Sequence, residues 1–272
     1  MAAYIPFAGK NSIVEAVLAL QFAQSLTPAV AEKFDDLKSE FIADFPSFEK
    51  MQVFQFTVGA TQLGAATPSQ STAGFNASRL KADGKPSRVF RTMDMNISMH
   101  FLEYDHWAET KGAALEGFFR CFKILGLPSA QNPIVAVSLR FIDRFTFDGS
   151  PESASAQALL KSDTQYVAPK VLDVGNLWHS NSGWFDSVLD GQNAIHQLNV
   201  HSGIEESAFV MVNHGIHSNL VSPVVTAEVN GDSKRLSLEA LFNAQHEANT
   251  VVLKNLLNDK MLVDIGLVER RS

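Results

Sequence analysis

The chain has 272 residues, 46% of them hydrophobic and 19% charged, with a formal net charge of -7 and a single cysteine. That much apolar material excludes wholesale disorder, and one cysteine excludes an intrachain disulfide framework. Residues 1–150 are almost balanced, at 14 Lys+Arg against 15 Asp+Glu, while residues 151–272 carry 8 against 14, and no Lys or Arg occurs between Val171 and Ser233, which argues against nucleic acid as a partner.

In chain order, the first apolar run is Ile13–Phe22. Glu15 interrupts it and it is too short to span a bilayer, so a buried strand is expected rather than a leader or membrane segment. Thr27-Pro28 opens a helix, since a proline at the first helical position gives up an N–H that has no helical partner anyway. Val30, Phe34, Leu37, Phe41 and Phe45 form its apolar stripe, Glu32, Asp35, Asp36 and Glu40 its solvated face, and Pro46 ends it. A strand over Val53–Val58 runs into a Gly/Ala/Ser/Thr-rich stretch, Gly59–Gly74, expected to be an exposed loop. Asp83-Gly84 signals a hairpin between Gly74–Ala82 and a single strand over Arg88–His100.

The next helix covers 105–125, with Trp107, Ala114, Leu115, Phe118, Phe122 and Leu125 on one face and Gly126 and Pro128 as the stop. Cys121 within it reads as a small core hydrophobe, in keeping with a reducing, cytoplasmic setting. Residues 133–147 form the clearest strand, placing Arg140 and Arg144 on one parity and Leu139, Phe141, Asp143 and Phe145 on the other. A Ser/Ala/Gly/Pro-rich connector, set at 151–163, separates an N-terminal unit (1–150) from an acidic, histidine-rich unit (164–272). The latter shows strand patterns at Ala194–His201, Ala208–His217 and Val224–Val229, then a helix over 237–258; Met261–Leu267 either returns to a strand or packs. The expected fold is α+β, with two similar lobes of antiparallel sheet each packed by a long helix.

Three clusters carry chemistry. Arg140 and Arg144, with Arg91 on a neighbouring strand, could grip a carboxylate or phosphate bidentately; the structural alternative is an ion pair to Glu15 or Asp94. Trp178 and Trp184, with Asp186 and Asp190, read as an aromatic and acidic loop suited to a protein partner with a basic surface, or to packing between lobes. Five histidines, His179, His196, His201, His214 and His217, fall in the stretch without basic residues, and His201, His214 and His217 with Asp186 are the candidate metal set. Residues three or five apart on a strand point to opposite faces, so no metal or other cofactor is assigned. The chain has no GxSxG, GxxxxGK[ST], GxGxxG, HExxH or CxxC motif.

Three segments together resemble a sporadically distributed bacterial family of uncharacterised function. They are Ser12-Ile13-Val14-Glu15 running to Gln21-Phe22; Trp107 followed by Leu139-Arg140-Phe141-Ile142-Asp143-Arg144; and Leu241 with His246-Glu247. Ser12, Phe141 and Asp143 stand where that family carries proline, tyrosine and asparagine. The resemblance implies an accessory role in defence or toxin control; with the missing catalytic motifs and the stretch without basic residues, the expectation is a non-enzymatic protein that contacts a protein partner through its acidic C-terminal part. The rival expectation is a metal-dependent hydrolase or nuclease built on the histidine-rich part.

Overall fold

Strand-forming runs separated by turn residues build one large antiparallel sheet in the computed structural model. It describes residues 2–9, 11–56, 68–189, 191–225 and 232–269, with 53–56, 68–71 and 232–236 described as backbone only. The strands are β1 (Tyr4–Pro6), β2 (Ile13–Phe22), β3 (Ser47–Phe56), β4 (Pro68–Leu80), β5 (Pro86–Met93), β6 (Asn96–Phe101), β7 (Ile134–Phe147), β8 (His179–Leu189), β9 (Gln192–Ile204) and β10 (Ala208–Val224). The helices are α1 (Pro28–Ala31), α2 (Phe34–Phe41), α3 (Trp107–Leu125), α4 (Pro169–Leu172), α5 (Asp232–Leu256) and α6 (Asp259–Asp264). Among the described residues no helix is long and apolar enough to cross a membrane.

The strand order is β3-β4-β5-β6-β2-β7-β10-β9-β8, with β1 pairing along the end of β7. The sheet is therefore continuous across the boundary expected between two lobes: β7 pairs with β2 on one side and β10 on the other. The α+β class and the antiparallel sheet are as expected, but α5 serves both halves. Its Leu238, Leu241 and Phe242 join the core under α3, whereas its Val252, Leu253 and Leu256 join a second core with β9, β10 and α6. The expected connector is part of that second core through Ala154, Ala156, Leu159 and Leu160.

Several local expectations change. The helix over 27–45 breaks at Glu32 and Lys33 into α1 and α2, although Phe34, Leu37, Phe41 and Phe45 stay buried. Residues 68–74 of the expected loop are strand β4, and 57–67 lie outside the described residues. Arg88–His100 is two strands, because Asp94 takes φ 55° and turns the chain between β5 and β6; aspartate tolerates this left-handed region better than most residues. His179–Asp186, immediately after Trp178, lies in the edge strand β8 rather than a loop, Met261–Leu267 begins in helix α6, and of Val224–Val229 all but the first two residues lie outside the described residues. Gly126 ends α3 as expected, at φ 70° with its N–H bonded to the Phe122 carbonyl.

The two faces of the sheet differ. One is covered by α3 and α5 and buries Leu18, Leu20, Phe90, Met99, Leu139 and Phe141. The other carries the opposite parity of every strand, including Glu15, Arg91, His100, Arg140 and His217, and none of these is buried. This one-face-packed alternation is what an antiparallel sheet permits and a parallel one does not.

Candidate functional site

Between the two apolar cores runs a belt of buried polar side chains: Asp143 on β7, His196 on β9, His214 and Ser218 on β10, and Gln245 and Asn249 on α5. The sequence creates it because α5 carries Gln245 and Asn249 four residues apart, on one helical face, midway between its two apolar ends. Where the belt meets α6 it opens into a chamber of about 910 Å³, within the range of small-molecule sites.

Asp143 stands at the chamber wall and is 1% exposed. A bulge in β2, which pairs Ile13 with Asp143 and Glu15 with Ile142, brings Ser12 alongside it. The Ser12 hydroxyl donates to Asp143 Oδ1 at 2.7 Å, while Oδ2 is buried and has no hydrogen-bond partner among the described residues. Burial raises the Asp143 pKa to about 6, against the smaller downward pull of the Ser12 hydrogen bond. Tyr104 and Phe141 line the same wall, their rings 5.9 Å apart and nearly perpendicular. Burial, with the nearby Asp143 charge, pushes the Tyr104 hydroxyl pKa up, so it stays protonated.

His246 closes the chamber from α5. Its ring stacks on Trp107 at 4.5 Å, and burial, then Lys111, lowers its pKa to about 4, so it is neutral at physiological pH. Trp107 Nε1 donates to Asn243 Oδ1 at 2.9 Å, and Lys111 pairs with Glu239 at 2.6 Å, tying α3 to α5 beside the chamber. Asp105 and Asp264 also line it, and none of the described lining residues is Lys or Arg. The three segments that carry the family resemblance meet here: Ser12 and Ile13, Phe141 and Asp143, and His246 all face the chamber.

The three arginines lie on the other face. Arg144 is committed, its Nη2 donating to Glu205 at 2.7 Å and its guanidinium over the Phe209 ring at 4.3 Å. Arg140 and Arg91 have no ion pair among the described residues, and the Arg140–Glu15 and Arg–Asp94 pairs offered as the structural alternative do not form. Glu15 instead bonds His100 Nδ1 at 2.7 Å, which is the main reason its pKa is lowered; Arg91 and Arg140 add weaker through-space pulls. Thus Arg91 and Arg140 border one groove and Arg144 stands apart from it.

The histidines divide by parity as strand geometry requires. His196 and His214 point into the covered side, His201 and His217 to the open one, and among the described residues no three His, Cys, Asp or Glu side chains are gathered to hold a metal ion. The set of His201, His214, His217 and Asp186 does not converge. His214 Nδ1 bonds Asn249 Oδ1 at 2.7 Å and His214 Nε2 meets His196 Nδ1 at 3.1 Å, a chain that leaves His196 Nε2 buried and without a hydrogen-bond partner among the described residues. Trp184 stacks on this pair, 4.8 Å from His196, and Trp178 is 9% exposed, so both tryptophans belong to the second core. Asp186 is exposed on β8, Asp190 lies outside the described residues, and Phe185, at 78% exposure, is the aromatic that β8 shows to solvent. Tyr104, His100 and Asn249 were not singled out by sequence, and Ser12 only within the resemblance; of the first three, Asn249 alone, as a polar residue on the apolar side of a helix, carried a signal there.

No family model matches the chain, and no curated protein matches it. Two solved structures are similar over most of their length. The di-domain ARO/CYC BexL from the BE-7585A biosynthetic pathway is 11% identical, covering 94% of this chain and 99% of that one, with a TM-score of 0.21. The di-domain ARO/CYC StfQ from the steffimycin biosynthetic pathway is 10% identical, covering 86% and 96%, with a TM-score of 0.15. At such TM-scores neither likeness carries an argument about fold or chemistry.

Proposed function

We propose that the protein binds a small organic cation, an amine or quaternary ammonium compound, in the chamber between the sheet and helices α5 and α6. The observation that carries this reading is Asp143, a buried acid whose Oδ2 has no hydrogen-bond partner among the described residues, in the wall of a chamber whose described lining holds no basic side chain. A buried carboxylate without a counter-charge costs several kcal/mol, and a bound ammonium group offsets that cost. Tyr104, Phe141 and neutral His246 supply aromatic surface of the kind that accepts cations. Asp105 and Asp264 add negative potential around the same space.

Isothermal titration at pH 7.5 with ethanolamine, choline and agmatine tests this. At least one should bind with 1:1 stoichiometry and a Kd below about 1 mM, and Asp143→Asn should weaken it by about 30-fold or more. Binding of neutral isosteres as tightly as the cations, or cation binding unchanged in the variant, would overturn the reading. A basic protein partner for the acidic C-terminal part remains a separate proposal that rests on charge alone.

A further inference from the structure

The open face of the sheet holds a second constellation. Ser98 and His100, two residues apart on β6, point to the same side, and Glu15 on β2 completes a hydrogen-bonded chain with them. Ser98 Oγ lies 3.1 Å from His100 Nε2, and His100 Nδ1 lies 2.7 Å from Glu15 Oε1. An ionised carboxylate can only accept, so it places the imidazole proton on Nδ1 and leaves the Nε2 lone pair facing the Ser98 hydroxyl. The chain forms the floor of a groove of about 590 Å³. Arg91 stands directly opposite Ser98 in the β5–β6 register, and Arg140 opposite Val17, the cross-strand neighbour of His100. The groove continues beyond Arg140 into a second hollow of about 310 Å³ over Gly215, where Arg140 Nε is 3.6 Å from the place a Cβ would take.

From this geometry we infer that the open face is a nucleophilic acyl-transfer site, with Ser98 as nucleophile, His100 as general base, and Arg91 and Arg140 receiving a carboxylate-bearing ester. The hydrogen-bonded order of hydroxyl, imidazole and carboxylate is what such chemistry needs, on whatever fold it occurs. Ser98 Oγ attacks the ester carbonyl carbon while its proton passes to His100 Nε2. The oxyanion forms beside the Arg91 guanidinium. Collapse breaks the bond to the alcohol, which leaves with the proton from His100. Water then attacks the acyl-serine by the same route, releasing the acid and restoring Ser98. Glu15 is a positioning residue that acts through His100.

The test is covalent labelling of the folded protein with a fluorophosphonate, read by mass spectrometry, beside hydrolysis of p-nitrophenyl hemisuccinate and p-nitrophenyl acetate. One adduct on Ser98, absent from heat-unfolded protein and from Ser98→Ala, is expected, with labelling at least about 100-fold slower in His100→Ala. The charged groups facing His100 are Glu15 on β2, Arg91 on β5 and Arg140 on β7. Glu15→Gln therefore moves the pH midpoint of the labelling rate downward, a shift that mere loss of structure does not produce. The hemisuccinate is preferred over the acetate, and Arg91→Gln/Arg140→Gln removes the preference. An unlabelled Ser98 in the wild-type protein overturns the inference outright, and an adduct that persists in Ser98→Ala does the same.

Discussion

Asp143→Asn should stabilise the folded protein at pH 7.5 by about 1–3 kcal/mol, and the gain should vanish below about pH 4. The wild-type carboxyl titrates near 6 when folded, against 3.8 as its ordinary value. Between those values the folded state holds more protons than the unfolded one, so wild-type stability falls as pH rises through this window and stays reduced above it. A shift of that size corresponds to about 3 kcal/mol. The asparagine keeps an acceptor for Ser12 but buries an amide in place of Oδ2, which lowers the expected gain. His214 and His246, both held down to about 4, titrate in the same range. They are present in both proteins and drop out of the difference. Tyr104, Asp105, His106 and Asp264 also face Asp143 across the chamber and are common to both. Urea unfolding of the two proteins at pH 4 and pH 7.5 measures the effect, and a difference that does not change with pH would show that Asp143 has a compensating partner. The same variant should lose the bound cation while gaining stability, which separates loss of a ligand contact from loss of fold.

Phe90→Ala should cost about 4 kcal/mol, with the urea midpoint lowered and the slope unchanged. Phe90 is 0% exposed and its ring lies 5.3 Å from Phe41, 6.1 Å from Phe45, 5.5 Å from Phe75 and 6.0 Å from Phe118. It therefore joins α2, β4 and α3 to the sheet at one point. Each aromatic contact adds to the transfer term, and four rigid rings cannot collapse into the space left behind. A loss below about 2 kcal/mol would mean that this core repacks around the alanine.

Elements whose local pattern and tertiary environment agree were legible. Ile13–Phe22 is strand β2 to the residue, α3 runs to Gly126, and the alternation along 134–147 separates the buried parity of Leu139, Phe141, Asp143 and Phe145 from Arg140 and Arg144. The misread elements are those whose structure is imposed from outside. His179–Leu189 carries Asn181, Gly183 and Asp186, poor strand formers, and is extended because β9 pairs with it along most of its length. The turn at Asp94 has no glycine to announce it. The break between α1 and α2 follows from docking two short helices on β4 and α3 rather than from any breaker residue.

For the site, the sequence alone determined which residues share a face of β7, because side chains alternate along any strand. It also set the unpaired burden of an acid among Leu139, Phe141 and Phe145, since that parity is otherwise apolar. Which partners surround that acid was decided by tertiary structure. Ser12, Tyr104 and His246 lie roughly 40 to 130 residues from Asp143 and share its chamber only because β2 pairs with β7, the connection after β6 passes beside them, and α5 packs on β7. The same pairing, not any motif, set Glu15 beside His100 on the opposite face, 85 residues away in the chain. Strand neighbours are chosen by burial summed over the whole sheet, a quantity that no local window of sequence contains.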